Sequence, residues 1–303
     1  GGEIGNNPVY LKGIAYILDS KGTRTDFALD GTKNKNFQGK VGESYQLFIE
    51  TEGKKFQSLV ETMQPSPTID TVKVDFNLDP TYTPDNEKYY GFDVTLDTKD
   101  LPEKGNYYQW EWVHYQRQEY CGLLLDTRRS WDRRTKGVPC YEDCFKVSYN
   151  PDLILLSDEL VNGNPIRKPI DRVGYITPPN KYYLCIEQRA ITKNAYNYFN
   201  SIIAQTQNNG NQYDIPAQTL FSTNLQCSSD PQEKVLGVFN LYSSSRKIII
   251  IDRGVILPNA IRQIQEPTYP LYVLEGLESF PFFPACGPET RYNTKIVPDK
   301  WED

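Results

Sequence analysis

Histidine and methionine are almost absent from this 303-residue sequence: there is one His, His114, and one Met, Met63. A Ser-His-Asp triad would have to use His114, and a two-histidine zinc motif has no second ligand. The lone imidazole lies inside the run YYQWEWVHYQ, where a structural role is favoured. No G-x-S-x-G elbow, P-loop or G-x-G-x-x-G run occurs, and no D-x-D-x-D-G calcium loop, so no cofactor or metal is implied. No apolar run approaches the ~18 residues of a membrane helix; Ile248–Ile251 is the length of a strand. No secretory signal is present. The chain opens Gly1-Gly2-Glu3 without Met, as a processed or truncated chain would. Basic charge is also scarce, with 33 Lys and Arg against 39 Asp and Glu, net −6 and pI near 5.1. A nucleic-acid phosphate binder needs a basic face, so that class is set aside.

Tyrosine, proline and glycine are abundant: 22 Tyr, 21 Pro and 20 Gly. Residues that suit pleated surfaces, broken by frequent turn residues, indicate a mainly β protein. In residues 9–60, Lys21-Gly22 and Glu52-Gly53 sit between alternating runs as hairpin turns do; the reading is a small N-terminal β-sandwich over 1–64. Gln64-Pro65-Ser66-Pro67 is the linker candidate, since its two prolines hold the chain extended. A second β domain is expected over 68–303. In it Trp110 and Trp112 share one strand face, which favours core over an aromatic ligand platform.

The centre of the second domain is Tyr182–Ile251. YYLCIEQRAIT reads as a strand. Thr192 is placed to cap a helix, and Ala195, Tyr198, Phe199, Ile202 and Ile203 give residues 193–207 one apolar face. Asn208-Asn209-Gly210-Asn211 stops that helix, and residues 235–251 read as a returning strand. Pro165, Pro169, Pro178 and Pro179 mark an irregular approach to this centre. The seven prolines after Ile251 exclude a long helix from an extended tail, with Phe280, Phe282, Phe283 and Trp301 expected to pin it to the body.

Leu123–Asp143 breaks the strand pattern and carries Arg128, Arg129, Arg133, Arg134 and Lys136 around Trp131. A solvated loop is the plain reading; the sharper one is a contact site for an acidic or anionic surface, which arginine forks suit. Six cysteines, an even number, fit an oxidising compartment and allow 15 pairings. Cys140-x-x-x-Cys144 lacks zinc spacing. A bridge from Cys121 to Cys140 or Cys144 would pin the base of the basic loop. Among carboxylates, the adjacent pairs Glu142/Asp143 and Asp158/Glu159 are the only hydrolase candidates, and Ser243-Ser244-Ser245 has no visible base.

Tyr183, Gln188, Ala195, Tyr196, Phe199, Pro216, Asn224, Cys227, Pro231, Val235-Leu236-Gly237-Val238-Phe239 and Ile248 together resemble the signature of a Bacteroidetes surface-lipoprotein family, domain of unknown function 4249. Val41–Leu47, Pro67–Val72, Tyr107–Trp110 and Cys286…Trp301 fall in the same order. The resemblance implies a transthyretin-like or carboxypeptidase-regulatory-like opening domain, here expected to be short of its first strands, and a fibronectin-III-like second domain with one inserted amphipathic helix. It implies a non-catalytic lipoprotein on the extracellular face of the outer membrane, with its lipid anchor upstream of Gly1. It also implies an accessory role beside a SusC-like TonB-dependent transporter, a β-barrel partner. Arg128, Arg129, Trp131, Arg133, Arg134, Phe280, Phe282 and Phe283 are the expected contact residues. A structural or adhesive subunit is the alternative, and a surface glycan or peptide hydrolase a weaker one.

Overall fold

The computed structural model describes residues 13–28, 37–82, 88–117, 120–125, 135–139, 143–150, 152–174, 181–206, 220–252 and 293–301. The chain is mainly β. Its strands in order are β1 (Gly13–Asp19), β2 (Arg24–Phe27), β3 (Ser44–Thr51), β4 (Lys54–Ser58), β5 (Glu61–Thr62), β6 (Ile69–Tyr82), β7 (Lys88–Lys99), β8 (Tyr107–Arg117), β9 (Tyr120–Leu125), β10 (Thr135–Pro139), β11 (Phe145–Tyr149), β12 (Ile154–Ser157), β13 (Pro165–Gly174), β14 (Lys181–Ile191), β15 (Leu225–Cys227), β16 (Tyr242–Asp252) and β17 (Asn293–Thr294). The described residues hold one α-helix, α1 (Lys193–Thr206).

The N-terminal sheet runs β15-β4-β3-β1-β2, with β5 beside β3. Both expected turns are present. Glu52 and Gly53, between β3 and β4, have φ of 48° and 77°, the double left-handed conformation of a two-residue hairpin turn. Gly22 has φ 79°. The far edge of this sheet comes from residues 225–227, which pair with Phe56–Ser58, so the sheet draws on a strand well outside residues 1–64.

The larger body has two layers. A six-stranded antiparallel sheet runs β16-β14-β8-β11-β17, with β12 also on β8, and a three-stranded sheet runs β13-β7-β6. Alternation places Phe92, Val94 and Leu96 of β7 against Tyr108, Trp110 and Trp112 of β8 and Leu184 and Ile186 of β14 in one buried cluster. Trp110 and Phe92 are fully buried, so the core reading of the tryptophan strand holds. The β14–helix–β16 expectation holds as well. β14 and β16 pair without interruption from Lys181↔Asp252 to Ile191↔Tyr242. Thr192 Oγ1 accepts from the Ala195 N–H, and α1 lies on the back of the six-stranded sheet over Tyr107, Ile191 and Tyr242.

Three readings need correction. Pro165 and Pro169 do not mark an irregular approach: they lie in β13, an edge strand with a register shift between Pro169 and Asp171, the kind of position where a missing N–H is tolerated. The returning strand begins at Tyr242, not at residue 235. Before it, Gly237 adopts φ 95°, and the Asn224 side chain binds both the N–H and the C=O of Phe239, at 2.9 and 2.8 Å. The segment from Leu123 is not irregular throughout, because β9 and β10 pair as a two-stranded antiparallel ribbon.

Candidate functional site

The basic residues Arg128, Arg129, Trp131, Arg133 and Arg134 lie outside the described residues, as do Phe280, Phe282, Phe283, Cys140 and the side chain of Cys121. The strands of the β9–β10 ribbon flank the first group on both sides. Trp301, expected to pin the tail, meets Phe145 edge-on at 5.0 Å. Cys144 is disulfide-bonded, whereas Cys185 and Cys227 are free thiols.

Two of the four hydrolase-candidate carboxylates, Asp143 and Asp158, have partners within the chain. Asp143 pairs with Arg117 at 2.8 Å; Glu142 lies outside the described residues. Asp158 is buried and accepts from Gly105 N–H at 2.8 Å and from the Asn106 amide, while Glu159 beside it is exposed, so the two carboxyls do not share a site. Ser243 and Ser245 donate to the backbone carbonyls of Gln64 and Pro67, fastening the linker to β16. The His114 ring sits 5.0 Å from Trp112 and 4.7 Å from Tyr182, within an aromatic row. Among the described residues no three His, Cys, Asp or Glu side chains converge as metal ligands.

The linker is held from a second side. Gln188, fully buried on β14, accepts from Trp110 Nε1 and donates from its own Nε2 to Pro67 O, both at 2.8 Å. Glu61, also buried, accepts from the amides of Asn194 at the start of α1 and Asn224 ahead of β15, at 2.9 and 2.7 Å. These two clamps tie the N-terminal sheet to the larger body. Buried polar groups are tolerated where their partners are supplied, and here they are.

A cleft of about 680 Å³ opens between the N-terminal sheet and the start of β16. Ile17, Phe27, Phe37, Leu47 and Met63 form one wall; Phe239, Leu241 and Tyr242 form the other, which ends in Glu187, Ser244 and Arg246. Phe37 meets Phe27 and Tyr45 edge-on, at 5.4 and 5.8 Å. A Cβ on Gly39 would collide with Met63 Cε, so glycine lets the 37–40 segment lie directly on that thioether.

The charged end of the cleft is a cross-strand network on the back of the six-stranded sheet. Glu187 is opposite Glu111 on β8 and Arg246 on β16. Its Oε1 accepts from Arg246 Nε at 2.8 Å and from Ser244 Oγ at 2.9 Å, and its Oε2 accepts from Arg189. Arg189 also reaches Glu111 and lies 4.6 Å from the centre of the Tyr242 ring. Burial pushes the Glu187 carboxyl up, but the hydrogen bonds and charges of Arg189 and Arg246 outweigh it, and the net shift is downward. Glu187 is therefore held ionised, which suits charge positioning and not proton donation at neutral pH. This network is not among the sites expected from the sequence. Its local signal was Glu187-x-Arg189, two charges on one face of an otherwise apolar strand.

No curated protein and no solved structure matches this chain. The model of the family described as a domain of unknown function (DUF4249) matches residues 11–248, most of the chain, and the chain belongs to that family.

Proposed function

We propose that this chain is a non-catalytic binding subunit at the cell surface. In this reading it is an outer-membrane lipoprotein, anchored by a lipid upstream of Gly1, that assists a SusC-like TonB-dependent transporter. The N-terminal sheet is then of the transthyretin-like or carboxypeptidase-regulatory-like type, and the packed pair of sheets is fibronectin-III-like. The observation that carries the reading is where the polar chemistry goes: Glu61, Asp100, Asp158, Gln188 and Asn224 all bind other parts of the chain. The carboxylate beside the cleft, Glu187, is neutralised by arginines. Such a molecule acts through its surfaces. Tyr, Trp and Arg dominate interface energetics, so Arg128, Arg129, Trp131, Arg133 and Arg134, between β9 and β10 in sequence, are one contact, and Phe280, Phe282 and Phe283 are the other. Stable docking should bury at least about 1,000 Å² in total.

The test is purification from native membranes in mild detergent, followed by identification of what co-purifies. A β-barrel transporter in stoichiometric yield is the expected result; recovery of the protein alone would sink the proposal. The Trp131→Ala, Arg133→Ala, Arg134→Ala triple variant should lose the barrel while its melting curve stays close to that of wild type.

A further inference from the structure

We propose that the cleft between the N-terminal sheet and β16 is a binding site for an uncharged, largely apolar small molecule carrying a hydrogen-bond-accepting oxygen. Its volume of about 680 Å³ falls in the range of small-molecule sites. Most of its lining is aromatic and aliphatic, with Met63 as a polarisable, adaptable wall.

The polar edge selects the ligand group. Glu187 has no acceptor capacity to spare: Oε1 already takes Arg246 Nε, Arg246 Nη2 and Ser244 Oγ, and Oε2 takes two nitrogens of Arg189. A ligand N–H or O–H gains little there. Arg246 is different. Its Nε and Nη2 face Glu187, its side chain is 67% exposed, and Nη1 has no partner among the described residues. This edge therefore offers a donor, while elsewhere in the lining the buried Asn240 Oδ1 has no partner among the described residues and can take a donor from the ligand. Glu111 and Glu187 balance Arg189 and Arg246 in one connected network, so it favours neither a cationic nor an anionic ligand. A carbonyl, ester or ether oxygen on an apolar body meets the conditions at Arg246, and an N–H or O–H elsewhere on that body would in addition serve Asn240 Oδ1. The inference does not depend on the transporter, because ligand binding and barrel docking are measured separately.

The probe is Prodan, an uncharged naphthalene ketone whose emission reports both apolar burial and hydrogen bonding to its carbonyl. Titrated with the intact chain, it should show one saturable, blue-shifted site. Arg246→Met keeps the length of the side chain but removes the donor, and should weaken binding about tenfold, the effect of one charge-assisted hydrogen bond. Ser244→Trp, at an exposed position on the cleft wall, should fill the opening and abolish the saturable signal. Lys146→Trp, exposed on the distant β11, should leave binding unchanged. Melting curves confirm that each variant is folded. Absence of saturable binding, full binding by Ser244→Trp, or wild-type affinity in Arg246→Met would each overturn the proposal.

Discussion

Replacing Gln188 with Leu tests how the linker is held. The two side chains are close in volume, so the change isolates the polar contribution. In the native chain Gln188 serves Trp110 Nε1 and Pro67 O, both at 2.8 Å, inside a fully buried site. Pro67 O keeps a second donor, Ser245 Oγ at 2.7 Å. Trp110 Nε1–H keeps none among its contacts here and is left buried and unpaired, which costs about 1–3 kcal/mol. Losing the net contribution of the Pro67 bond adds about 1 kcal/mol. The expected destabilisation is thus about 2–4 kcal/mol, a drop in Tm of roughly 4–12 °C for a chain of this size. The assay is thermal and urea unfolding followed by far-UV circular dichroism. Trp110→Phe supplies the decisive comparison: with no indole N–H left to orphan, Gln188→Leu should cost about 1–2 kcal/mol less in that background. If the two substitutions are additive, the Trp110–Gln188 bond does not hold the site, and the clamp argument fails.

Acidification should weaken the charged network beside the cleft. The folded pKa of Glu187 lies below its ordinary value of 4.5, so its contribution is present above that value and is lost as pH falls through the folded pKa; Tm should fall more steeply below about pH 4 in wild type than in Glu187→Gln. Gly53→Ala should cost about 1 kcal/mol or more and Glu52→Asn should stabilise modestly, because both turn residues have positive φ; denaturant midpoints measure both. Glu61→Ala should remove the acceptor of the Asn194 amide and of one of the two Asn224 amide N–H groups, the other still donating to Phe239 O, and destabilise by about 1–3 kcal/mol, read by calorimetry. Non-reducing peptide mapping should recover Cys185 and Cys227 as alkylated thiols and Cys144 in a bridged peptide. Reduction should cost about 2–4 kcal/mol, and recovery of Cys144 as a free thiol would contradict the bridge.

What was legible in the sequence had a local cause. The Glu52-Gly53 turn followed from the need for positive φ, the cap at Thr192 from its hydroxyl, and the buried face of Trp110 and Trp112 from the two-residue period. What was missed depends on partners distant in sequence. β13 hid behind its prolines, which only an edge position excuses. Residues 235–241 look like strand, but Asn224 occupies the backbone of Phe239 and holds that stretch out of the ladder. Nothing local in Leu225–Cys227 signals pairing with Phe56–Ser58. The cleft was invisible for the same reason: Glu187, Arg246 and Met63 meet only after three separate segments assemble.

Four residues of the family signature, Gln188, Asn224, Ala195 and Tyr196, act as joints. Gln188 fixes the linker, Asn224 fixes both Glu61 and Phe239, Ala195 is buried under α1 where a larger side chain would lift the helix, and Tyr196 packs 4.9 Å from Tyr107. A signature made of joints identifies an architecture and says little about a ligand. In the proposed reading, specificity resides at positions the joints only support: the apolar wall at Phe27, Phe37 and Met63 and the exposed edge at Ser244 and Arg246. Substitutions at the joints should therefore lower stability and binding together, whereas Arg246→Met at the cleft edge should lower binding more than it lowers stability. That separation can be measured in one set of variants, with Gln188→Leu and Arg246→Met as its two ends.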